Sequence, residues 1–540
     1  MKIAHLNRIL KRVFIIVAFY LTLTVCGQQI PKGAWQSSRV YYNNDKLEYV
    51  ADKQGNRIPD FSYSGYKNSE VAIPEIPVVL SIKSISGDNT KHIQEAIDKV
   101  GALPLNENGF RGALLLKAGS YSVHGTLYLN YSGVVLRGEG DGADAVKNTV
   151  INALGDAPEN RTVLIAGGNK NNELDDDWEW GTRSFITSDF VQVGDFTFVV
   201  DNPSLYQVGD NIIINHPCTQ KWLEANDWGV NNDKTKFWHE GELPLLYNRF
   251  IKKIDGNQIT IDAPIFNHLD KKLSQSFIYK YNRKGLLTHI GIEDLRIDIH
   301  TLGRTDIKNH AENAIALRQI EDSWVKNCST LHFWKSGIMT QTAFRISVIN
   351  SKALEPYGVV TGGQRYNFNA STFSQQILFY KCQASDARHG YVSNGRASVS
   401  GIAVVESTNL RSYTASEGHQ KWSQGLLFDN LKETETRVES EGGNRVMGFY
   451  NRGNWANGHG WSAAHSVLWN CNANGKAITL QKPPTAQNYA IGCFGEVSGN
   501  GPFEGPEGFI EGSNKVGLYP KSLFKAQFKE RTNKVFDDLQ

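Results

Sequence analysis

The sequence predicts an all-β fold: a right-handed parallel β-helix (solenoid) with a short helix near its N-terminal end and a small inserted β subdomain. Three observations carry that prediction. First, one phrase recurs through the later half: apolar residues, then Asn or Lys, then a small residue. It reads "WVKNCST" at Cys328, "SVINSKA" at Ser351, "LFYKCQA" at Cys382, "AVVESTN" at Ser407, "LLFDNLK" at Asn430, "GFYNRGN" at Asn451, "VLWNCNA" at Cys471 and "AIGCFGE" at Cys493. The spacings are 23, 31, 25, 23, 21, 20 and 22 residues. Self-similarity at such a period marks a solenoid in which each repeat is one turn of the chain. Second, short β runs at Ala113–Leu116, Thr126–Leu129 and Val134–Leu136 alternate with Gly- and Ser-rich turns. Third, 50 Gly against 3 Met suit a turn-rich β protein better than a helical one. Leucine-rich repeats have similar periods, but their fixed Leu/Asn pattern is absent.

The elements follow in chain order. Lys2, Arg8, Lys11 and Arg12 precede the apolar run "VFIIVAFYLTLTV", which is too short to span a membrane comfortably. Residues 1–26 are therefore expected to be an export signal, excluded from the fold. The run ends at Cys26, and a Cys there resembles the bacterial lipoprotein box. Lipidation of Cys26 would attach the protein to a membrane by its anchor alone. Val25 departs from the small residue usual before that Cys, which leaves conventional cleavage as the alternative. Either route exports the protein, to the periplasm or the cell surface.

Residues 27–84 form an N-terminal extension rich in Tyr, Asn and Pro, and the first coils occupy 85–184. Ile93, Ala96, Ile97 and Val100 fall on one face of a short amphipathic helix. Residues 185–283 break the coil rhythm: two strand-rich halves flank a long loop bearing Trp222, Trp228 and Trp238, and this is the inserted β subdomain. Residues 284–500 supply the main coils, and 501–540 a closing segment. The stretch "DNTKHIQEAIDKV … GALLLKAGSYSVHGTLYL … SGVVLRGEG", with "HIGIEDLRIDIH" at 289–300, resembles pectate-lyase-like β-helix proteins. The resemblance implies that the helix caps the open first coil, whose strand edges would otherwise be unpaired. It leaves the reaction open, since that superfamily holds lyases, hydrolases and tailspikes.

Bulk composition excludes some functions. A formal net charge of +2 without a long Lys/Arg run argues against nucleic acid as a partner. The cysteines beyond Cys26 are scattered and have no CxxC pairing, so they read as buried small hydrophobes. Aromatic content of 11% suits both a large β core and sugar stacking.

Candidate chemistry gathers in three segments. "ASDARHGYVSNGR" holds Arg388, His389, Tyr391 and Arg396; "ASEGHQKWSQG" holds Glu417, His419, Lys421 and Trp422; "NGHGWSAAH" holds His459, Trp461 and His465. Equivalent positions in adjacent coils of a β-helix lie about 4.8 Å apart, so residues one period apart in sequence can be neighbours in space. Outward-facing, these side chains would line a groove rich in imidazole and cations.

Such a groove suits β-elimination from a uronic acid. A cation neutralises the carboxylate, a base takes the C5 proton, and an acid protonates the oxygen leaving C4. Arg388 or Arg396 would grip the carboxylate, His389 or His419 act as base, and His459 or Tyr391 as acid. Glu417, Lys421, Trp422, Trp461 and His465 would complete the binding site for an anionic poly- or oligosaccharide. Water leaving a chain-end uronate makes the enzyme an oligosaccharide dehydratase; a sugar leaving makes it a polysaccharide lyase.

No cofactor or metal is called for. The acidic run Asp175, Asp176, Asp177 and Glu179 hints at Ca²⁺ but lacks a cage-like spacing, so a solvated loop is the better account. Two alternatives stand beside elimination. Asp386 and Glu417 could serve as the carboxyl pair of a glycoside hydrolase, or the chain could bind carbohydrate without catalysis. The three segments also resemble β-helix proteins of polysaccharide-degrading bacteria, uronate-acting lyases and dehydratases of ulvan-type oligosaccharides among them.

Overall fold

Coil stacks on coil in one large parallel β assembly. The computed structural model describes residues 30–154, 161–168, 179, 181–229, 234–301, 310–437 and 444–539. Residues 1–26, which include the expected export signal and Cys26, and the acidic run Asp175–Asp177 lie outside the described residues. Strand registers give the repeat its physical form: Ser329 pairs with Lys352, Lys352 with Gln383, Gln383 with Thr408, Thr408 with Lys432, Lys432 with Asn472, and Asn472 with Phe494, all in parallel. One residue before each of these stands Cys328, Ser351, Cys382, Ser407, Leu431, Cys471 or Cys493. Ser351 and Ser407 accept from the backbone N–H of Cys328 and Cys382 at 3.2 and 3.0 Å, which ties neighbouring coils at the bend.

The residue before that has positive φ in coil after coil: Asn327, Asn350, Lys381, Glu406, Asn430 and Asn470. Asn tolerates that left-handed conformation better than most residues, so its recurrence in the phrase is a backbone requirement. Two members of the sequence repeat therefore need correction. Asn430 belongs to the left-handed position, with Leu431 in the stacked one. Asn451 belongs to neither. The coil from Leu431 to Cys471 is a single long one: its strand Arg445–Phe449 pairs in parallel with the coils on both sides, and the excursion is the loop that follows.

Interior positions stack in apolar columns. Val348, Phe379, Val404, Phe428, Leu468 and Ala490 follow one another across six coils, all nearly inaccessible to solvent. Burying each large member stabilises the fold by about 1.5–3 kcal/mol. The helix Thr90–Gly101 turns Ile93, Ala96, Ile97 and Val100 into the same core, against the first strands.

The chain leaves the solenoid after Thr162–Gly167, which pairs directly with Asn313–Arg318. Between them lies a six-stranded sheet whose pairings are antiparallel, built from Ser184–Phe185, Thr197–Val199, Asn211–His216, Leu245–Asp255, Gln258–Ile261 and Phe277–Lys280. It docks on the solenoid through Gln375, which accepts from Asn248 N–H at 3.0 Å and donates to Leu246 C=O at 2.6 Å.

Candidate active site

Four successive stretches of the solenoid line a cavity of about 670 Å³. Strand Tyr366–Ala370 opens with Tyr366, which pairs in register with His389 at the start of strand His389–Ser393. Val392 pairs with Glu417 of Ser416–Gly418, and Glu417 with Gly448 of Arg445–Phe449. The long excursion then supplies Tyr450, Arg452 and His459. Stacking at the coil spacing sets ring centroids 5.1 Å apart for Tyr366 and His389, 4.9 Å for His389 and His419, and 4.9 Å for His419 and His459.

The hydrogen bonds fix which ring nitrogen carries a proton. His389 Nδ1 lies 2.6 Å from Ala415 C=O, a pure acceptor, so Nδ1–H donates and Nε2 keeps its lone pair. That Nε2 is itself buried, just behind the cavity surface, and has no hydrogen-bond partner among the described residues. His419 Nδ1 sits 2.8 Å from Glu417 Oε1 and donates to it; His419 Nε2 then accepts from Tyr366 OH at 3.0 Å. Glu417 is wholly buried and also accepts from Arg452 Nη1 and Tyr450 OH. Arg452 Nη1 lies 2.6 Å from His419 Nδ1 as well; with the carboxylate accepting from both, this contact is one edge of a triangle around Glu417 Oε1.

His389, Glu417 and His419 place three ligand-type atoms within 4.8 Å of one another, a spacing that could hold a metal ion. Here the Arg452 guanidinium already lies against Glu417 Oε1 and His419 Nδ1, so the cluster has its cation.

Burial and neighbouring cations keep the imidazoles neutral. Burial first, then Arg388, His419 and Arg452, holds His389 well below the usual imidazole range. Burial and Arg388 bring His419 down to about 3, and burial with the surrounding cations brings His459 to about 2. Burial draws Arg452 down to about 9, still above neutral pH, so its guanidinium stays charged. Burial likewise lowers His216, His268, His289 and His465. An imidazole whose folded pKa is depressed binds its proton only on unfolding, so its contribution to stability is lost as pH falls below about 6.5. The opposite sign applies to Asp60, Asp429 and Glu433, buried acids whose pKa is raised. Seven histidines outnumber three acids. The melting temperature is therefore expected to drop markedly between pH 7 and pH 5, with net proton uptake on unfolding; a flat melting profile there would contradict the buried neutral imidazoles.

Of the sequence candidates, Arg388, His389, Arg396, His419 and His459 line the cavity. The others are elsewhere. Tyr391 points into the solenoid core, stacked on Phe368 at 5.0 Å with its hydroxyl donating to Thr408 C=O, so it cannot be the acid. Trp422 is buried edge-to-face against Trp222, its Nε1–H donated to Asn267, and Trp461 is buried in the same apolar cluster; neither offers a face to sugar. Lys421 is buried in an ion pair with Glu242 of the inserted segment. His465 packs against His268 beside a different, smaller cavity. Glu417 sits behind the wall and orients the histidines instead of touching a ligand. Asp386 is held by Arg411 and Arg437 and does not line the cavity either, so the Asp386/Glu417 pair does not flank it.

Sequence reasoning passed over Tyr366, and it gave Arg452 no role. Tyr366 lies in no Gly/Ser-rich histidine segment; only its register with His389 reveals it. The excursion carrying Arg452 is braced by the insert: Lys236 Nζ donates to Ala456 C=O at 2.8 Å and Trp238 Nε1 to Gly458 C=O at 2.9 Å. Gly460, at φ +58°, passes so close that an added Cβ would lie 2.2 Å from Gly229 O.

The fold and this cavity define a parallel β-helix with a buried cluster of imidazole, phenol and guanidinium groups. No family model matches the chain, and no curated protein does. Solved structures are similar to it only loosely. An alginate lyase from Paenibacillus sp. str. FPU-7 shares 9% identity at a TM-score of 0.38, over 82% of this chain and 99% of the lyase. A polygalacturonase from Erwinia carotovora ssp. carotovora shares 11% at 0.33, over 84% and 96%. The tailspike gp49 of Pseudomonas phage LKA1 shares 12% at 0.37, over 76% of this chain and 64% of the tailspike, less than two thirds of its length. Likeness at these scores carries no argument about the reaction, which rests on the cavity.

Proposed function

We propose that the protein is a carbon–oxygen lyase that acts by β-elimination on a uronic acid within an oligo- or polysaccharide. One observation carries the reading: among the described residues the cavity wall presents guanidinium, imidazole and phenol groups but no carboxylate. Glycoside hydrolysis in its common form needs two carboxyl groups flanking the scissile bond. Elimination needs a cation for the uronate carboxylate, a neutral base and a proton donor, and each has a candidate here.

Arg388, with Arg452 beside it, would hold the carboxylate and stabilise the enolate-like intermediate. His389 Nε2 takes the C5 proton as that C–H bond breaks. The electron pair forms the C4=C5 double bond and the C4–O bond breaks. The Tyr366 O–H turns from His419 Nε2 to the departing oxygen and protonates it, and Arg388 Nη1, 3.2 Å from that hydroxyl, faces the phenolate. Before that transfer the Tyr366–His419–Glu417 chain holds the phenol in place. A depressed pKa makes His389 a weak base in the free protein, but a bound carboxylate is an opposing charge that raises it where it is needed.

Incubation with uronate-containing saccharides tests the reading by the absorbance of the unsaturated uronate. A rise with shortened chains identifies a polysaccharide lyase. A rise without chain scission identifies an oligosaccharide dehydratase, of which ulvan-type oligosaccharides are one substrate class to assay. New reducing ends without absorbance would overturn elimination.

A further inference from the structure

We propose that the cavity contains a second anion subsite at Arg396, so that the preferred saccharide carries a negative group on a sugar next to the uronate held at Arg388. This deepens the uronate reading above and rests on it for the first sugar. Arg388 and Arg396 line the same cavity from opposite ends of strand His389–Ser393. The first and last residues of that five-residue strand stand roughly 13 Å apart. Their side chains are anchored apart as well. Arg388 Nη1 reaches Tyr366 OH and Gly362 C=O, whereas Arg396 Nη1 lies 3.6 Å from Glu242 Oε1. Held by different partners, the two guanidinium groups offer separate places for an anion.

Charge at the Arg396 end is unbalanced. Glu242 Oε1 also takes the Lys421 ammonium, in the closer of its two contacts, so among the described residues two cations share one carboxylate. Lys421 is buried, while the Arg396 side chain is 43% exposed and open to a ligand. Gln420 and Asn394 line the same end, with Gln420 Nε2 donating to Asn394 Oδ1 at 2.8 Å. The chemistry recognised is a planar or tetrahedral oxyanion on a saccharide: the carboxylate of a second uronate, or a sulfate ester.

Calorimetric titration of the whole protein tests this with three probes: a uronosyl disaccharide with a neutral neighbour, a diuronate, and the first disaccharide bearing a sulfate ester on the neighbour. A charge-assisted contact at Arg396 should make at least one dianionic probe bind about tenfold tighter than the neutral-neighbour probe. Which of the two gains affinity identifies carboxylate or sulfate. Arg396→Gln should abolish that preference, and Glu242→Gln, which releases Arg396, should enlarge it. Equal affinity for all three probes, or a preference that survives Arg396→Gln, would overturn the subsite even where unsaturated product forms. A preference lost in Arg396→Gln without any unsaturated product would leave the subsite standing and overturn the elimination. Failure of all three probes to bind would overturn both.

Discussion

His389→Ala is expected to slow elimination by about 10²- to 10⁴-fold, the usual contribution of a positioned general base, with a far-ultraviolet spectrum like that of the parent. The expectation comes from a specific tautomer. Ala415 C=O engages Nδ1–H, so Nε2 carries the lone pair, at a ring that faces the cavity. The base must be neutral to work, and burial with Arg388 and Arg452 nearby keeps it so far into the acid range. Activity of the parent should therefore persist below the usual imidazole pKa and fail only as pH drops through the lowered one. A bound uronate carboxylate raises that pKa, so the acid limb of kcat should lie at higher pH than that of kcat/KM. Full activity in His389→Ala, or coincident limbs in the parent, would remove His389 from the role.

Arg452→Met is expected to destabilise the fold by about 3–5 kcal/mol, because it strands the buried Glu417 carboxylate without its cation. Glu417 is fully buried, and apart from Arg452 its hydrogen-bonding neighbours among the described residues are His419 and Tyr450; His389 Nδ1 lies 3.3 Å away, and none of the three brings a fixed positive charge while the imidazoles are neutral. Denaturant unfolding would read the loss. The double variant Arg452→Met, Glu417→Gln should recover much of it, since the neutral amide needs no counter-ion. Lack of recovery would show that Arg452 acts by packing alone, over Trp455 for example, where its guanidinium sits 5.1 Å from the ring centroid. Activity should stay low in both variants, because Glu417 orients His419 and Arg452 lines the cavity.

How far the site can be read from sequence follows from what a repeat encodes. The period says which residues share a level of the solenoid, and it brought His389, His419 and His459 together as neighbours. Alternation along a strand should separate inward from outward side chains, yet Tyr391 lies in the same short strand as His389 and faces the core. At coil corners the backbone turns through left-handed residues, such as Lys421 and Trp422 at φ +49° and +68°, and parity stops predicting direction there. For that reason Trp422 and Lys421 turn away from the cavity, into the apolar cluster and onto Glu242. The phrase at Asn451 matches the repeat locally, although Asn451 stands at the start of the loop after strand Arg445–Phe449.

The sequence by itself determined the solenoid, its repeating turn and the rough level of the histidine cluster. These follow from local requirements: an apolar column needs one buried residue per coil, and each bend needs a residue that tolerates positive φ. Only the tertiary structure decided which groups face the cavity. Tyr366 enters through register with a strand 23 residues later, Arg452 through an excursion braced by Lys236 and Trp238, and Glu417 through burial behind the wall. Each depends on contacts between distant segments, and no local pattern of residue types records them.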